Sequence, residues 1–413
     1  MLFKESIKRF SPPRAWDWVA IGEVAKLSFS SVDKKSVEGE KAVRLCNYMD
    51  VFYNRRIREG MPFMVSTASD SDIKKFTLNK DDVVLTKDSE TPEEIAFAAV
   101  IDEQIDNLVC GYHLAVLRPD QVKVTGEYLM SAINFHPNHH QFVRLANGAT
   151  RFGLGIDSLN NSLIPLPPLA EQRKISEILR TWDEAIETAE AELKAKQERK
   201  RWLMDKLLVG DWAAKKLDDL FELEGSGIDK VILQGEQVVP LVNYMDAYRK
   251  RILEPSDITA QTSVSPADLS RCKLKRGDIV LTPSSETPDD IAHSALIDFE
   301  PGDAVHSYHL FRLRARSASA IVHDFRAFFL NHISVRKQFI RICSGTTRFT
   351  LTLPGVRGIK VSLPPAEHQK YAAAVLGDAT NQESLAFQKI KALRAQKRGL
   401  MQKLLTGEVR VAA

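Results

Sequence analysis

Residues 47–50 read NYMD, and residues 243–246, 196 positions later, read NYMD again. The interval extends well beyond that tetrapeptide. Trp16 of WDWVAIGEVAKL matches Trp212 of WAAKKLDDLFEL. DVVLTKDSETPEEIAFAAVID at 82–102 returns as DIVLTPSSETPDDIAHSALID at 278–298, and GYHLAVLR at 111–118 returns as SYHLFRLR at 307–314. GATRFGL at 148–154 matches GTTRFTL at 345–351, now 197 positions on. KRWLMDKLLVG (200–210) and KRGLMQKLLTG (397–407) close the two copies and agree at eight of eleven positions. A constant interval over such a length is tandem duplication, and it sets the architecture before any single element is assigned. Two like domains in one chain tend toward a pseudo-twofold arrangement. Duplex DNA is itself twofold, so it suits such a pair. Duplication without a symmetric target is the competing reading.

Each copy changes texture once. In the first, DVVLT, AFAAVI and YHLAVLR have the β-branched, partly alternating character of strands, and EYLMSAINF reads as helix. FRAFFLNHI reads as helix in the second. From Leu169 to Leu208 there is then neither Gly nor Pro. Ile175, Leu179, Trp182, Ile186, Ala189, Leu193, Lys196, Lys200, Leu203 and Leu207 step by four and three, which is a heptad seam. The matched seam runs Ala372, Leu376, Ala379, Glu383, Ala386, Ile390, Leu393, Lys397, Leu400, Leu404. About 38 residues at 1.5 Å each give a rod of roughly 57 Å. One rod cannot bury its own stripe, and the simplest partner is the other rod, running antiparallel. The predicted fold is α+β: two tandem domains at 1–168 and 210–365, separated by two long antiparallel coiled-coil helices at 169–209 and 366–407, with a tail at 408–413.

Bulk properties exclude some classes. With 44% hydrophobic and 27% charged residues, the chain reads as globular. No apolar run approaches the roughly 18 residues of a membrane span. The first residues, MLFKESIKRFSPPRAWDWV, lack the apolar centre of a secretory signal. Cys46, Cys110, Cys272 and Cys343 lie far apart and read as reduced thiols of a cytoplasmic protein. Residues 1–170 carry 20 Lys+Arg against 22 Asp+Glu, and residues 211–365 carry 20 against 19. A nucleic-acid binder of this composition must gather its cations on one face.

LPPLAEQRK (166–174) and LPPAEHQK (363–370) open the two long helices, and K-x-L-L-x-G closes both. With tandem α+β domains, this pattern resembles the specificity subunit of type I restriction–modification enzymes. GDIVLT, YHLFRLR and SGTTRF match looser signals of that family's target-recognition domains, and AEHQ departs from its usual acidic-Gln pair. The resemblance covers essentially the whole chain. It implies that each domain reads one half of a split double-stranded DNA target and that the helices set the gap. It also implies that the helices dock two methyltransferase subunits, which restriction/translocase subunits join. S-adenosylmethionine, ATP and Mg²⁺ would then belong to those partners, and this chain would be non-catalytic, without cofactor or metal. The sequence agrees in lacking GxxxxGK[ST], NPPY- or DPPY-like runs and zinc-type Cys/His spacing. Two rivals remain: the recognition part of a fused restriction–methylation enzyme, and a duplicated coiled-coil scaffold that never touches DNA.

The candidate DNA contacts are cationic, amide and aromatic residues near turns. Asn47, Tyr48, Arg55, Arg56 and Arg58 form one group, and Asn243, Tyr244, Arg249, Lys250 and Arg251 form its counterpart. Arg bridges guanine O6 and N7, and Asn does the same at adenine N6 and N7. The alternative is a solvated basic turn. Arg151 and Arg348 follow Gly148 and Gly345 in turns where a backbone can approach a phosphate; a structural pairing at the domain–helix junction is the alternative. Lys87 becomes Pro283, so any contact there is one-sided. Ser89, Glu90, Glu93 and Glu94, matched by Ser285, Glu286, Asp289 and Asp290, could hold Mg²⁺, but read better as a capped helix start. HPNHH at 136–140 reads as a surface turn. His113 and His309 read as satisfied core or near-surface histidines in a strand.

Overall fold

The computed structural model describes residues 12–317 and 321–411. The stretch read as lacking a secretory signal lies partly outside them. The chain forms two compact units: residues 1–189 with 389–413, and residues 190–388.

In the first unit the strand-like runs become a five-stranded sheet. Its order is Ala25–Phe29, Leu114–Pro119, Val83–Thr86, Ala98–Ile101, Arg56–Ile57. All neighbours are antiparallel except the last pair. Strands alternate their side chains between faces, and here both faces are buried. Val83, Leu85, Ala98, Val100, Ala115 and Leu117 point into one core. Val84, Ala99, Ile101, Leu114 and Val116 point into another. That is why VVLT and AAVI are apolar throughout rather than alternating. The first core is closed by helix Gly126–Asn134 and by the long helices. The second lies against a three-stranded sheet of Met64–Ala68, Lys41–Cys46 and Leu108–Cys110.

The second unit repeats the scheme. Its five-stranded sheet runs Phe221–Gly225, Phe311–Ala315, Ile279–Leu281, Ser294–Ile297, Ile252–Leu253. Ile279, Leu281, Leu296 and Leu313 face one core, while Val280, Ala295 and Ile297 face another.

Three local expectations differ from the structure. HPNHH is not a turn but opens helix His136–Leu145, its proline tolerated in the first turn. There the Asn138 amide donates to Ala132 O at 2.8 Å, and His139 donates to Ile95 O at 2.6 Å. The FRAFFLNHI segment folds as two short 3₁₀ turns, Asp324–Ala327 and Phe329–Asn331, ahead of helix Ile333–Ile342. His113 and His309 lie in the turns before their strands, not within them. The SETP segments each form a single 3₁₀ turn, Pro92–Glu94 and Pro288–Asp290, with proline at the start.

The long helices span Leu169–Leu207 and Ala366–Leu405. In the first unit Ile175 and Leu179 share a core with Met401 and Leu404. Further along, Asp183 pairs with Lys397. Numbering rises on one helix as it falls on the other, so the pairing is antiparallel. In the second unit Met204 and Leu208 pack with Ala372 and Leu376, and Lys200 Nζ reaches Glu383 Oε2 at 2.6 Å, again antiparallel. None of the twenty seam positions is exposed. Lys200 and Lys397 occupy matched seam positions, and each answers a carboxylate of the opposite helix.

The LPP-x-x-EQ motif joins helix to domain. Gln172 is fully buried; its amide donates to Lys123 O and Pro167 O at 2.8 and 2.9 Å and accepts from the Thr125 N–H at 3.0 Å. Gln369 does the same with Pro364 O and the Val322 N–H, each at 2.8 Å. Glu171 accepts from the Trp16 indole at 3.0 Å and takes the Arg410 guanidinium at 2.6 and 2.8 Å. His368 replaces that glutamate in the second copy. It lies against the ring of Trp212, centroids 5.3 Å apart, and donates to Leu207 O at 2.9 Å.

Burial, and then the nearby Arg55 charge, disfavour the Lys397 ammonium against the pull of Asp183; its pKa falls to about 8 from an ordinary 10.5. The folded chain thus binds this proton less tightly than the unfolded chain. Stability should rise as pH goes from about 8 to about 10.5, and Lys397→Met should remove that rise in urea titrations at stepped pH. At neutral pH, Lys397→Met alone should cost on the order of 3 kcal/mol, because Asp183 is left unpaired, and Lys397→Met with Asp183→Leu should recover most of it.

Candidate nucleic-acid interface

The sequence-nominated residues divide into two sets. One is used inside the fold. Arg56 is buried, paired with Glu127 and 3.6 Å from Asp102. Arg58 reaches Asp102 and Glu187, both at 3.0 Å. Arg180 of the long helix joins Asp102 and Glu127, both at 3.2 Å. These cations clamp the domain to the helix, which gives Arg56 and Arg58 a structural role beside the DNA contact expected of them. A charge this deep in protein must be paired, and sequence spacing gives no view of the acids that pair it. Asn47 and Asn243 start short helices, Tyr48–Tyr53 and Tyr244–Arg249. Their N–H groups donate to Asp50 and Asp246 at 2.7 and 2.8 Å. NYMD is therefore a helix-start motif. Arg251 is half-buried beside the long helix.

The other set faces solvent. Tyr48 is half-buried, stacks on Phe52 at 5.5 Å, and is surrounded by Asp88, Glu90, Glu94 and Arg151. Burial, reinforced by those acids, pushes its phenol up to about 12. Arg151 lies 3.2 Å from Asp88 and 3.3 Å from His113 Nδ1. His113 is itself 2.9 Å from Asp88. Lys87 sits over the Tyr112 ring at 4.5 Å, and that tyrosine is 51% exposed. The second unit gathers Tyr244, stacked on Tyr248 at 5.8 Å, with Tyr308 against His309 at 3.7 Å. The His309 imidazolium is disfavoured by burial and then by Arg348. Asp88 has become Ser284, and exposed Arg348 makes no ion pair with a described residue. Arg249 and Lys250 are exposed too, Lys250 with Asp257 at 2.6 Å; Arg55 reaches solvent along part of its length, but its charge is disfavoured by burial and favoured by Asp183 of the long helix.

The sequence reading passed over Tyr112 and Tyr308 and took His113 and His309 for satisfied histidines of a strand. Their signal was the YH pair repeated at the common interval in a turn, where a tyrosine has no core to enter.

The arginine loops have a specific construction. Asn147 pairs with Gly153, and Ser344 with Thr350, closing tight hairpins. Gly148 and Gly345 adopt φ +147° and +142°, and a Cβ there would lie 1.9 and 2.0 Å from the carbonyl oxygens of Arg151 and Arg348. Only glycine permits this backbone. Strands Asp88–Ser89 and Ser284–Ser285 pair with the far side of each loop, Phe152–Gly153 and Phe349–Thr350. Arg151 is thereby fixed beside the residues that follow Lys87, 63 positions away in sequence.

Two α+β domains, each joined to a long helix and each presenting tyrosines and cations on one face, define a tandem recognition-domain protein. Residues 13–197 and 210–395 both match the type I restriction modification DNA specificity domain, and the chain belongs to that family. A Methanocaldococcus jannaschii protein described as the MjaX specificity subunit of a type I restriction enzyme is 25% identical over 362 residues, 84% of this chain and 83% of that one. The MjaVIII specificity subunit of the same organism is 22% identical over 290 residues, 61% of this chain and 63% of that one. In fold, the chain is similar to the S subunit of a type I restriction–modification system from M. genitalium, with TM-score 0.56, 14% identity, and 94% and 96% of the two chains covered. A chain from a study of type I R-M complex assembly and conformational transition gives TM-score 0.58 at 14% identity, covering 97% and 100%. Among the described residues no helix is long and apolar enough to cross a membrane.

Gly148→Ala should act on DNA binding as Arg151→Ala does, because the loop that presents the guanidinium cannot close. The loop is exposed, so the thermal midpoint should move by no more than about 2 °C. Electrophoretic mobility shifts beside calorimetry check both statements.

Proposed function

We propose that this chain is the non-catalytic specificity subunit of a type I restriction–modification complex, reading a bipartite DNA sequence for partners that methylate adenine N6 and cleave. The supporting observation is the matched pair of exposed faces, Tyr48, Tyr112, His113 and Arg151 against Tyr244, Tyr308, His309 and Arg348. Arginine and lysine at a groove supply phosphate clamps and guanine contacts, and Arg55, Arg249 and Lys250 are available as clamps. Two methyltransferase subunits dock on the long helices and bring S-adenosylmethionine. Restriction subunits bring ATP and Mg²⁺. The helix pair acts as the spacer between half-sites, whose separation on DNA is counted in helical turns of ~34–36 Å. Because neither domain is basic overall, the isolated chain binds weakly with a shallow salt slope.

The matched faces also favour related half-sites, with divergence where Lys87 and Asp88 become Pro283 and Ser284. Co-expression with the neighbouring methyltransferase, followed by genome-wide mapping of N6-methyladenine, tests this reading. Two modified adenines should appear in one interrupted motif with similar halves. Deleting or duplicating a short segment near Lys194–Arg199 should change the gap and leave both halves intact. No modification, or an uninterrupted motif, contradicts the proposal; dissimilar halves contradict only the related-half-site reading.

A further inference from the structure

The second unit contains a cavity of about 610 Å³ between its recognition domain and the long helices. Among the described residues Lys200, Arg201, Arg251 and Arg336 line it, against two carboxylates, Asp205 and Glu383. Both acids are already engaged. Glu383 takes Lys200 at 2.6 Å and the Gln197 amide at 3.3 Å, and Asp205 takes His332 at 3.1 Å. Arg336 donates to the main-chain carbonyls of Asp289 at 2.7 Å and Ala292 at 3.5 Å, which carry no full charge. The Nη1 of Arg251 is buried and has no hydrogen-bond partner among the described residues. A buried, unmatched guanidinium N–H costs the full desolvation of that donor, and an ion or water that completes it is one explanation for its being kept in a native structure.

We propose that this cavity binds a tetrahedral oxyanion of the phosphate class, held by Arg251 with Arg336. Guanidinium groups match phosphate geometry through paired N–H donors. Burial and then Arg251 disfavour the charge of Lys200, and burial, against the pull of Glu383 and with repulsion from Arg336, disfavours that of Arg251; a bound dianion relieves both. The matched positions of the first unit carry Arg55 and Lys397 for Arg251 and Lys200, but His139 for Arg336. The copies have thus diverged at one of the two proposed ligand positions. None of Tyr244, Tyr308, His309 and Arg348 lines the cavity, and the proposal does not rest on which DNA sequence is read. Its phosphate is either free phosphate or a backbone phosphate of duplex DNA.

Isothermal titration of the full chain with inorganic phosphate, at constant ionic strength set with chloride, tests the proposal. Saturable binding near one equivalent is expected. Arg251→Gln and Arg336→Gln should each weaken it by about tenfold or more, the scale of one charge-assisted hydrogen bond. Lys337→Gln, exposed on the same helix as Arg336, should leave it unchanged. Circular dichroism without phosphate establishes that each variant is folded. Competition by a non-target duplex assigns the site to backbone phosphate, and absence of competition assigns it to free phosphate. No saturable binding, or equal binding by folded Arg251→Gln and Arg336→Gln, overturns the proposal.

Discussion

The apolar stripe of each long helix has one adequate cover, the stripe of the other. Fully burying one leucine or isoleucine is worth roughly 1.5–3 kcal/mol, so a stripe left in water would cost more than a domain's whole stability margin. The seam does more than supply burial. Lys397 against Asp183 and Lys200 against Glu383 place a charge inside each contact. A buried ion pair adds little net stability compared with an apolar pair of the same volume. It penalises any slipped alignment that separates the charges, which is how polar seam residues select register.

This pairing has a consequence that the sequence repeat conceals. The copies divide near residue 210, but the compact units do not. Residues 389–413 complete the first unit, where Met401, Leu404 and Leu405 enter the core built by Val83, Leu117 and Ile175. Arg410 then closes on Glu171. Each unit therefore borrows part of a helix that belongs, by sequence, to the other copy.

Much of the architecture was legible because it rests on periodicity. Strands buried on both faces announce themselves as VVLT and AAVI, and long helices as an uninterrupted heptad. Features that depend on distant partners were not legible. Nothing near Arg56 in sequence reveals Glu127, and nothing near Gln172 reveals the carbonyl of Lys123 that it meets. HPNHH misled because histidine, asparagine and proline are turn formers in isolation, whereas here proline and a buried Asn138 suit the first turn of a helix. The candidate interface was half legible. Arg151 and Arg348 stood out through their glycines, but exposed Tyr112 and Tyr308 were hidden beside histidines that looked structural.

The antiparallel seam is tested most directly by cross-linking within the first unit. Cysteines introduced together at Asp183 and Lys397 remove both members of the ion pair and leave two thiols across the seam. A short bismaleimide applied to dilute protein should join them within one chain, and mass spectrometry should recover the linked peptides. Cysteines at Ile175 and Lys397 lie about 12 Å out of register at 1.5 Å per residue and should not link. Links only between chains, or equal linking of both pairs, would contradict the account.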